Sequence, residues 1–282
     1  MSGISLRQTF GDRIELSAAA DSRSAVYRFG NIPKPCVHPL ITPRGHSISA
    51  FQMSDHPWHR GLWFTIKLLN GANFWEENPP FGTQQVHDQP LCELLSKKSA
   101  RITHRSHWAS DATAIALREE RSLTFTFQSD GISVIDFATQ LIAAQDLLLD
   151  RTPFTTWGGY GGLSFRTSRD VHEVNFLMPG GETTPALAGK PLDWLAMQGK
   201  IDGGPDEKIS IAIFDHPENP RSPAPWYAKC GNGFNFMNAA FLFHEPMKLA
   251  KDDSLNFRYR VLYRDGTWSA HELAAIAREF RS

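Results

Sequence analysis

Apolar and polar side chains alternate with a period of two along much of this chain. In the stretch 257–264, Phe257, Tyr259, Val261 and Tyr263 stand at odd positions, while Arg258, Arg260 and Arg264 fall on the other side. Successive side chains of a strand point to opposite faces, so the pattern predicts a half-buried antiparallel strand. Leu123-Thr124-Phe125-Thr126-Phe127 repeats the alternation, Gly131 marks a turn, and residues 132–139 resume in β-branched and aromatic types; together they predict a hairpin. The apolar runs 209–214 and 239–243 predict two more strands. The 18 prolines and 21 glycines separate these runs, as many short strands joined by loops require.

One helix is predicted, at the end of the chain. Ser269-Ala270-His271-Glu272 has capping-box spacing, and Leu273, Ile276, Ala277 and Phe280 then recur on one helical face that can pack against a sheet. Residues 112–120, inside a charged mixture running from Asp111 to Arg121, fit helix and strand equally. No fixed-period repeat and no low-complexity tract is present. The expectation is a mainly β protein forming one domain over residues 1–282, a length within the range of a large β-sandwich.

Composition narrows the partners. With 41% hydrophobic and 21% charged residues the chain can bury a full core, and a net charge of −1 with scattered arginines supplies no field for a nucleic-acid backbone. No apolar run approaches the about 20 residues of a membrane-spanning helix, and MSGISLRQTFGDR lacks the apolar centre of a signal peptide, so a cytoplasmic location is expected. Cys36, Cys92 and Cys230 stand far apart without CxxC spacing, which predicts buried small hydrophobes rather than a disulfide framework or a thiolate metal site.

Chemistry concentrates in Asp55-His56-Pro57-Trp58-His59-Arg60-Gly61-Leu62-Trp63, where two imidazoles, a carboxylate, a guanidinium and two indoles share nine residues. Histidine titrates near neutrality and arginine offers a rigid fork for a carboxylate or polarised oxygen, so the segment suits proton transfer and anion contacts. His56 and His59 are candidates for a general acid and base pair, with Asp55, Glu76 or Glu77 setting the imidazole tautomer. Arg60 is the candidate for substrate carboxylate or enolate charge, or for an ion pair with Asp55 or Glu76. A divalent metal is the alternative, with His56 and His59 as ligands and a third from His38, His87 or His216. Pro57 opposes it by favouring an extended His56, and on a regular strand the two imidazoles would face opposite sides. No cofactor is expected on the first reading. A second Asp-His-Pro, Asp215-His216-Pro217, follows the apolar run 209–214 and makes His216 either a catalytic partner or a loop anchor. Flat aromatic walls suit the apolar faces of sugars, and Trp58, Trp63, Trp75, Trp157, Tyr160 and Trp226 can supply them, although indoles also fill cores. Glu76 and Arg166 are further binding candidates, whereas Lys67 reads as a solvated strand position. Gly158-Gly159-Tyr160-Gly161-Gly162 lacks the phosphate-loop pattern, and its glycines predict a close approach of backbone or ligand.

Six motifs in order carry a family resemblance: Pro39-Leu40-Ile41-Thr42-Pro43-Arg44-Gly45, the nine residues from Asp55 to Trp63, Asn70-Gly71-Ala72-Asn73-Phe74-Trp75, Tyr160-Gly161-Gly162-Leu163, Ile213-Phe214-Asp215-His216-Pro217-Glu218-Asn219-Pro220, and Tyr259-Arg260-Val261-Leu262-Tyr263-Arg264-Asp265-Gly266. From about residue 30 onward the chain resembles the bacterial methane-oxygenase-like (PmoA-like) proteins. A methane oxygenase subunit is an integral membrane protein, and this chain has no apolar segment long enough to cross a bilayer as a helix, which excludes that activity. The resemblance implies instead an antiparallel β-supersandwich like that of galactose mutarotase, a fold that often handles carbohydrates. The expected function is a carbohydrate-active enzyme using histidine acid/base chemistry on a sugar or keto-sugar, of epimerase, lyase or hydrolase type. Its alternatives are a non-catalytic carbohydrate-binding protein and a metal-dependent lyase or oxygenase. The expected partner is a small-molecule carbohydrate.

Overall fold

Strands that are apolar on one side need cover there, and in this protein two large sheets cover each other. The computed structural model describes residues 3–111, 114–203 and 207–281. Among these, one sheet has nine strands, in the order Ile4–Thr9, Arg13–Ala18, Ser24–Arg28, Cys36–Ile41, Leu62–Ile66, Gly161–Arg166, Phe236–Ala239, Pro225–Lys229 and Ala186–Pro191. The second has ten, with the long strands Ser99–Ser110, Ala114–Phe127, Ser133–Ala143 and Ser254–Asp265 side by side. Neighbouring strands run antiparallel, and the core lies between the sheets, where Leu16, Phe64 and Phe165 of the first meet Ile102, Phe125 and Val261 of the second. The antiparallel sandwich expected from the sequence is the fold observed.

The predicted hairpin is present: Phe127 pairs with Ser133 across a turn that places Gly131 at φ 88°. The C-terminal helix spans Ala270–Arg281, and its capping box is formed, with the Ser269 amide donating to Glu272 at 2.7 Å and the Glu272 amide donating to the Ser269 hydroxyl at 3.3 Å. Leu273 and Ala277 pack on Trp194, Phe214 and Leu262, so the helix covers part of the outer face of the ten-stranded sheet. No helix among the described residues is long and apolar enough to cross a membrane.

Two expectations need correction. The run 239–243 is not a strand: the strand is Phe236–Ala239, and residues 240–243 curl, with the Phe243 amide donating to the Ala240 carbonyl at 2.8 Å. Those residues are apolar because they are buried, which a turn inside the molecule satisfies as well as a strand does. Of the cysteines, Cys36 is buried, whereas Cys92 and Cys230 are partly exposed; all three are free thiols.

The ambiguous charged stretch resolves as strand from Ala114 onward, Ala112 lying outside the described residues. Its period was hidden because charged side chains face the core. Glu119 and Arg121 are both buried, and the Glu119 carboxylate accepts from Arg121 Nε at 2.7 Å, Thr139 Oγ1 at 2.6 Å, Ser106 Oγ at 2.9 Å and Trp108 Nε1 at 2.8 Å. Every donor is supplied by a cross-strand neighbour or a residue of the same strand face, so the register of three strands is tied to one carboxylate. Removing one partner of a buried pair strands the other's charge, whereas removing both does not. Glu119→Ala is expected to lose about 3–5 kcal/mol of stability in urea unfolding, and replacing Glu119 and Arg121 together by apolar residues to lose less. A loss under about 1 kcal/mol for the single variant would contradict this account.

Candidate active site

The centre of the nine-stranded sheet is buried on both faces, as Leu62–Ile66 shows. Leu62 and Phe64 point into the core, so Trp63 between them points outward, and register places Cys36 and Ser164 opposite Trp63 and Phe236 opposite Arg166 on that same outer face. Residues 51–60 roof this floor as a short ribbon, Phe51–Met53 paired with His56–Arg60. Gly61 joins ribbon to sheet at φ 66°, where an added Cβ would lie 2.5 Å from the Val37 carbonyl oxygen. Only glycine fits that joint.

Pro57 keeps the ribbon extended, as predicted, but the two histidines do not diverge. The pairing register shifts between Phe51 and Met53, and the rings of His56 and His59 stack with centroids 4.7 Å apart. His59 is buried, its ring 5.0 Å from Phe236, 5.1 Å from Trp63 and edge-on to Trp75 at 6.2 Å. Burial, reinforced by His56, Arg166 and Lys34, holds its imidazole well below the usual range, so it is neutral at physiological pH. His56 lies above it at the solvent boundary, touching Trp58 and Phe234.

Asp55 connects these groups. Its Oδ2 accepts from His56 Nδ1 at 3.0 Å and from Arg166 Nη2 at 2.7 Å, and its Oδ1 lies 3.5 Å from Arg169. Burial opposes the charge, but the Arg166 and His56 hydrogen bonds outweigh it and hold the carboxyl well below the usual carboxylate range. An ionised Asp55 fixes the proton of His56 on Nδ1 and leaves Nε2 as the basic nitrogen. Arg166 is fully buried, stacks on the Phe234 ring at 3.9 Å and reaches within 3.5 Å of His59 Nδ1.

A second charged cluster flanks the first. Arg60 donates through Nε to Glu77 at 2.9 Å and through Nη2 to its other oxygen, while Lys34, also buried, donates to the Trp75 carbonyl at 2.5 Å and lies 3.1 Å from Glu77. Burial draws the Lys34 amine down to about 8 against the pull of Glu77. Trp75 itself stacks on Tyr160 at 4.9 Å, and Tyr160 meets Tyr227 edge-on.

The structure therefore unites Asp55, His56, Trp58, His59, Trp63, Trp75, Tyr160 and Arg166. Arg60 is beside them, but its partner is Glu77 rather than Asp55 or Glu76. Glu76 pairs with Lys67, which is buried and not the solvated position expected. Trp63 and Trp75 are covered floor, not open walls, and Trp226 belongs to the core, its Nε1 donating to the Leu192 carbonyl. Trp157 stands 62% exposed on the loop before Tyr160. His216 is not part of the site: it accepts from the Glu218 amide and meets Phe280 of the terminal helix, on the ten-stranded side. His87 pairs with His107 on the surface, and His38 bonds Ser49 and stacks on Phe51. Among the described residues no three His, Cys, Asp or Glu side chains gather as a metal would require. Sequence reasoning missed Lys34, Arg169, Phe234 and Phe236. Phe234-Asn235-Phe236 carried a legible signal, since both rings share one face by alternation. The Gly-rich stretch behaves as expected: at Gly162, φ 111°, a Cβ would come within 2.1 Å of the Ala239 carbonyl oxygen.

A groove of about 770 Å³ opens elsewhere, on the outer face of the ten-stranded sheet, lined by Thr103, Arg105, Glu120, Ser122, Gln140 and Arg258 among others. Its one imidazole, His104, is bonded inward to Tyr27, and its Arg105–Glu120 pair is solvent-exposed. The histidine cluster, with its oriented base, is the better candidate for chemistry.

A family model described as "Family of unknown function (DUF6807)" matches residues 17–278. The chain belongs to the DUF6807 family. The methane-oxygenase-like membership expected from the six motifs is not what the family model returns. No curated protein matches the sequence. Among solved structures, this DUF6807 chain is similar to the GalM/aldose epimerase homologue from C. elegans at 9% identity over 94% of this chain and 99% of that one, with a TM-score of 0.36. Galactose 1-epimerase from Lactobacillus acidophilus NCFM is similar at 8% identity, over 95% and 99%, with 0.42. The heparan sulfate lyase HepC mutant from Pedobacter heparinus is similar at 9%, over 94% of this chain but 37% of that one, with 0.46. At such identities the likeness concerns chain course alone, and residue roles rest on the geometry above.

His59 is not the only imidazole kept neutral. Burial, with Arg28, brings His38 down to about 4, and burial, with Arg121, brings His104 to about 4. Native values lie below the unfolded value of about 6.5, so in that window these histidines bind more protons in the unfolded chain and their contribution to stability falls as pH drops toward about 4. The fall is offset in part below about 6 by Asp215, whose carboxyl is raised by burial to about 6. Urea unfolding at a series of pH values is expected to show this fall, each histidine adding a slope of up to about 1.4 kcal/mol per pH unit. A flat profile between about pH 6.5 and 4.5 would refute it.

Proposed function

We propose that this DUF6807 protein is a carbohydrate-active enzyme in which the Asp55–His56 pair moves a proton at a sugar or keto-sugar. The observation that carries the reading is the shared Asp55 oxygen: one carboxylate, kept ionised by Arg166, holds Nδ1 of a partly exposed His56 beside Trp58 and Phe234. Nε2 acts as the base toward a carbon or hydroxyl activated by a neighbouring oxygen, and the imidazolium returns the proton, which fits epimerisation, or elimination or hydrolysis beside a keto group. His59 stays neutral beneath, and as an uncharged neighbour it does not oppose the positive charge that His56 acquires. Trp58, Phe234, Tyr160 and Tyr227 are partly exposed and offer apolar surfaces to a sugar ring. Arg60, bound to Glu77, positions the second cluster rather than holding an enolate directly.

Incubation in D₂O with a panel of monosaccharides, disaccharides and their keto forms reads proton transfer by loss of a carbon-bound proton signal. His56→Ala is expected to lower that exchange by about 10²–10⁴-fold while sugar binding persists, and Asp55→Asn to lower it through the wrong tautomer. Full turnover by His56→Ala on a substrate of the wild type sinks the proposal. Binding that survives loss of both histidines with no turnover in the wild type identifies a binding protein instead.

A further inference from the structure

Around the histidines, five cationic side chains share three carboxylates. Arg166 and Arg169 share Asp55 at 2.7 and 3.5 Å, Lys34 and Arg60 share Glu77, and Lys67 pairs with Glu76. Neutral His59 adds nothing, so the network carries a surplus of two positive charges in a chain whose net charge is −1. Arg28 adds to the field, its guanidinium over the Phe51 ring at 5.4 Å, where Arg60 also lies at 5.2 Å. Four of the five cations are buried: Lys34, Arg60, Lys67 and Arg166. Two of them retain buried donors without a partner, Arg60 Nη1 and Arg166 Nε.

Buried charge is costly unless it is paired, and here the pairing is incomplete on the positive side only. A cleft of one sign also raises the local concentration of the opposite charge. We infer that the substrate of this site is an anionic sugar, one bearing a carboxylate or a phosphate, whose charge completes the Lys34–Arg60–Arg166–Arg169 network. The inference rests on the carbohydrate reading of the site and adds the charge of its ligand. Arg169, 52% exposed by side chain, is the cation at the rim that a ligand meets first.

Calorimetric binding to matched probes separates the two readings: glucose and galactose, glucuronate and galacturonate, and glucose 6-phosphate. The anionic probes are expected to bind at least about tenfold more tightly than the neutral ones, with affinity falling as salt rises. Arg169→Gln is expected to weaken the anionic probes several-fold and leave the neutral ones unchanged, and Arg169→Lys to restore part of the loss. Preference for glucose 6-phosphate assigns the charge to a phosphate, and preference for the uronates to a carboxylate. Equal binding of galactose and galacturonate overturns the inference while the carbohydrate reading stands. If no probe binds, both fall.

Discussion

A strand with large apolar side chains on both faces must be covered twice, and the rest of this molecule follows from that constraint on Leu62–Ile66. The second sheet covers Leu62 and Phe64. Nothing comparable covers Trp63, and the gap is closed by the ribbon 51–60 and the segment carrying Trp75. The histidines are part of that cover. Packing and the candidate site thus share residues: His59 stacks within an aromatic layer and lies beneath the partly exposed imidazole of His56.

The second dependence is electrostatic. Asp55 is partly exposed, yet it serves His56, Arg166 and Arg169 at once, and Glu77 serves both Lys34 and Arg60. Sharing few acids among many bases holds Asp55 and Glu77 below the usual carboxylate range and leaves an excess of cationic side chains around them. The interior solves a similar problem differently. Glu119 is saturated by four donors and matched by one guanidinium, a closed network with a structural task.

Strands whose alternation separated apolar from polar, such as Ser254–Asp265 and the hairpin around Gly131, were legible in the sequence, as was the capped helix. Legibility failed where polarity and burial part company. Glu119 and Arg121 face the core, so their stretch reads as no period at all; Lys67 is buried with Glu76 but reads as solvated; residues 240–243 are apolar without being extended. At the site, the nine residues from Asp55 to Trp63 stand out by composition, and Arg166, which follows Gly162-Leu163-Ser164-Phe165, lies against Asp55 of that stretch. The partnership of Arg60 with Glu77 and the involvement of Lys34 depend on which strands neighbour one another, and no local pattern encodes that. Conversely, repetition of Asp-His-Pro suggested a link between His56 and His216 that the topology does not make, since the two triplets belong to different sheets' surroundings.

Gly61 bears on how the histidines keep their place. Its backbone, pressed against the Val37 carbonyl oxygen, ties the ribbon to the sheet through covalent geometry in addition to the side-chain contacts of Asp55 and His59. His56 and His59 are accordingly indexed to the sheet frame through the backbone that precedes Leu62. A single methyl group at that joint would shift ribbon and histidines together, as one lever.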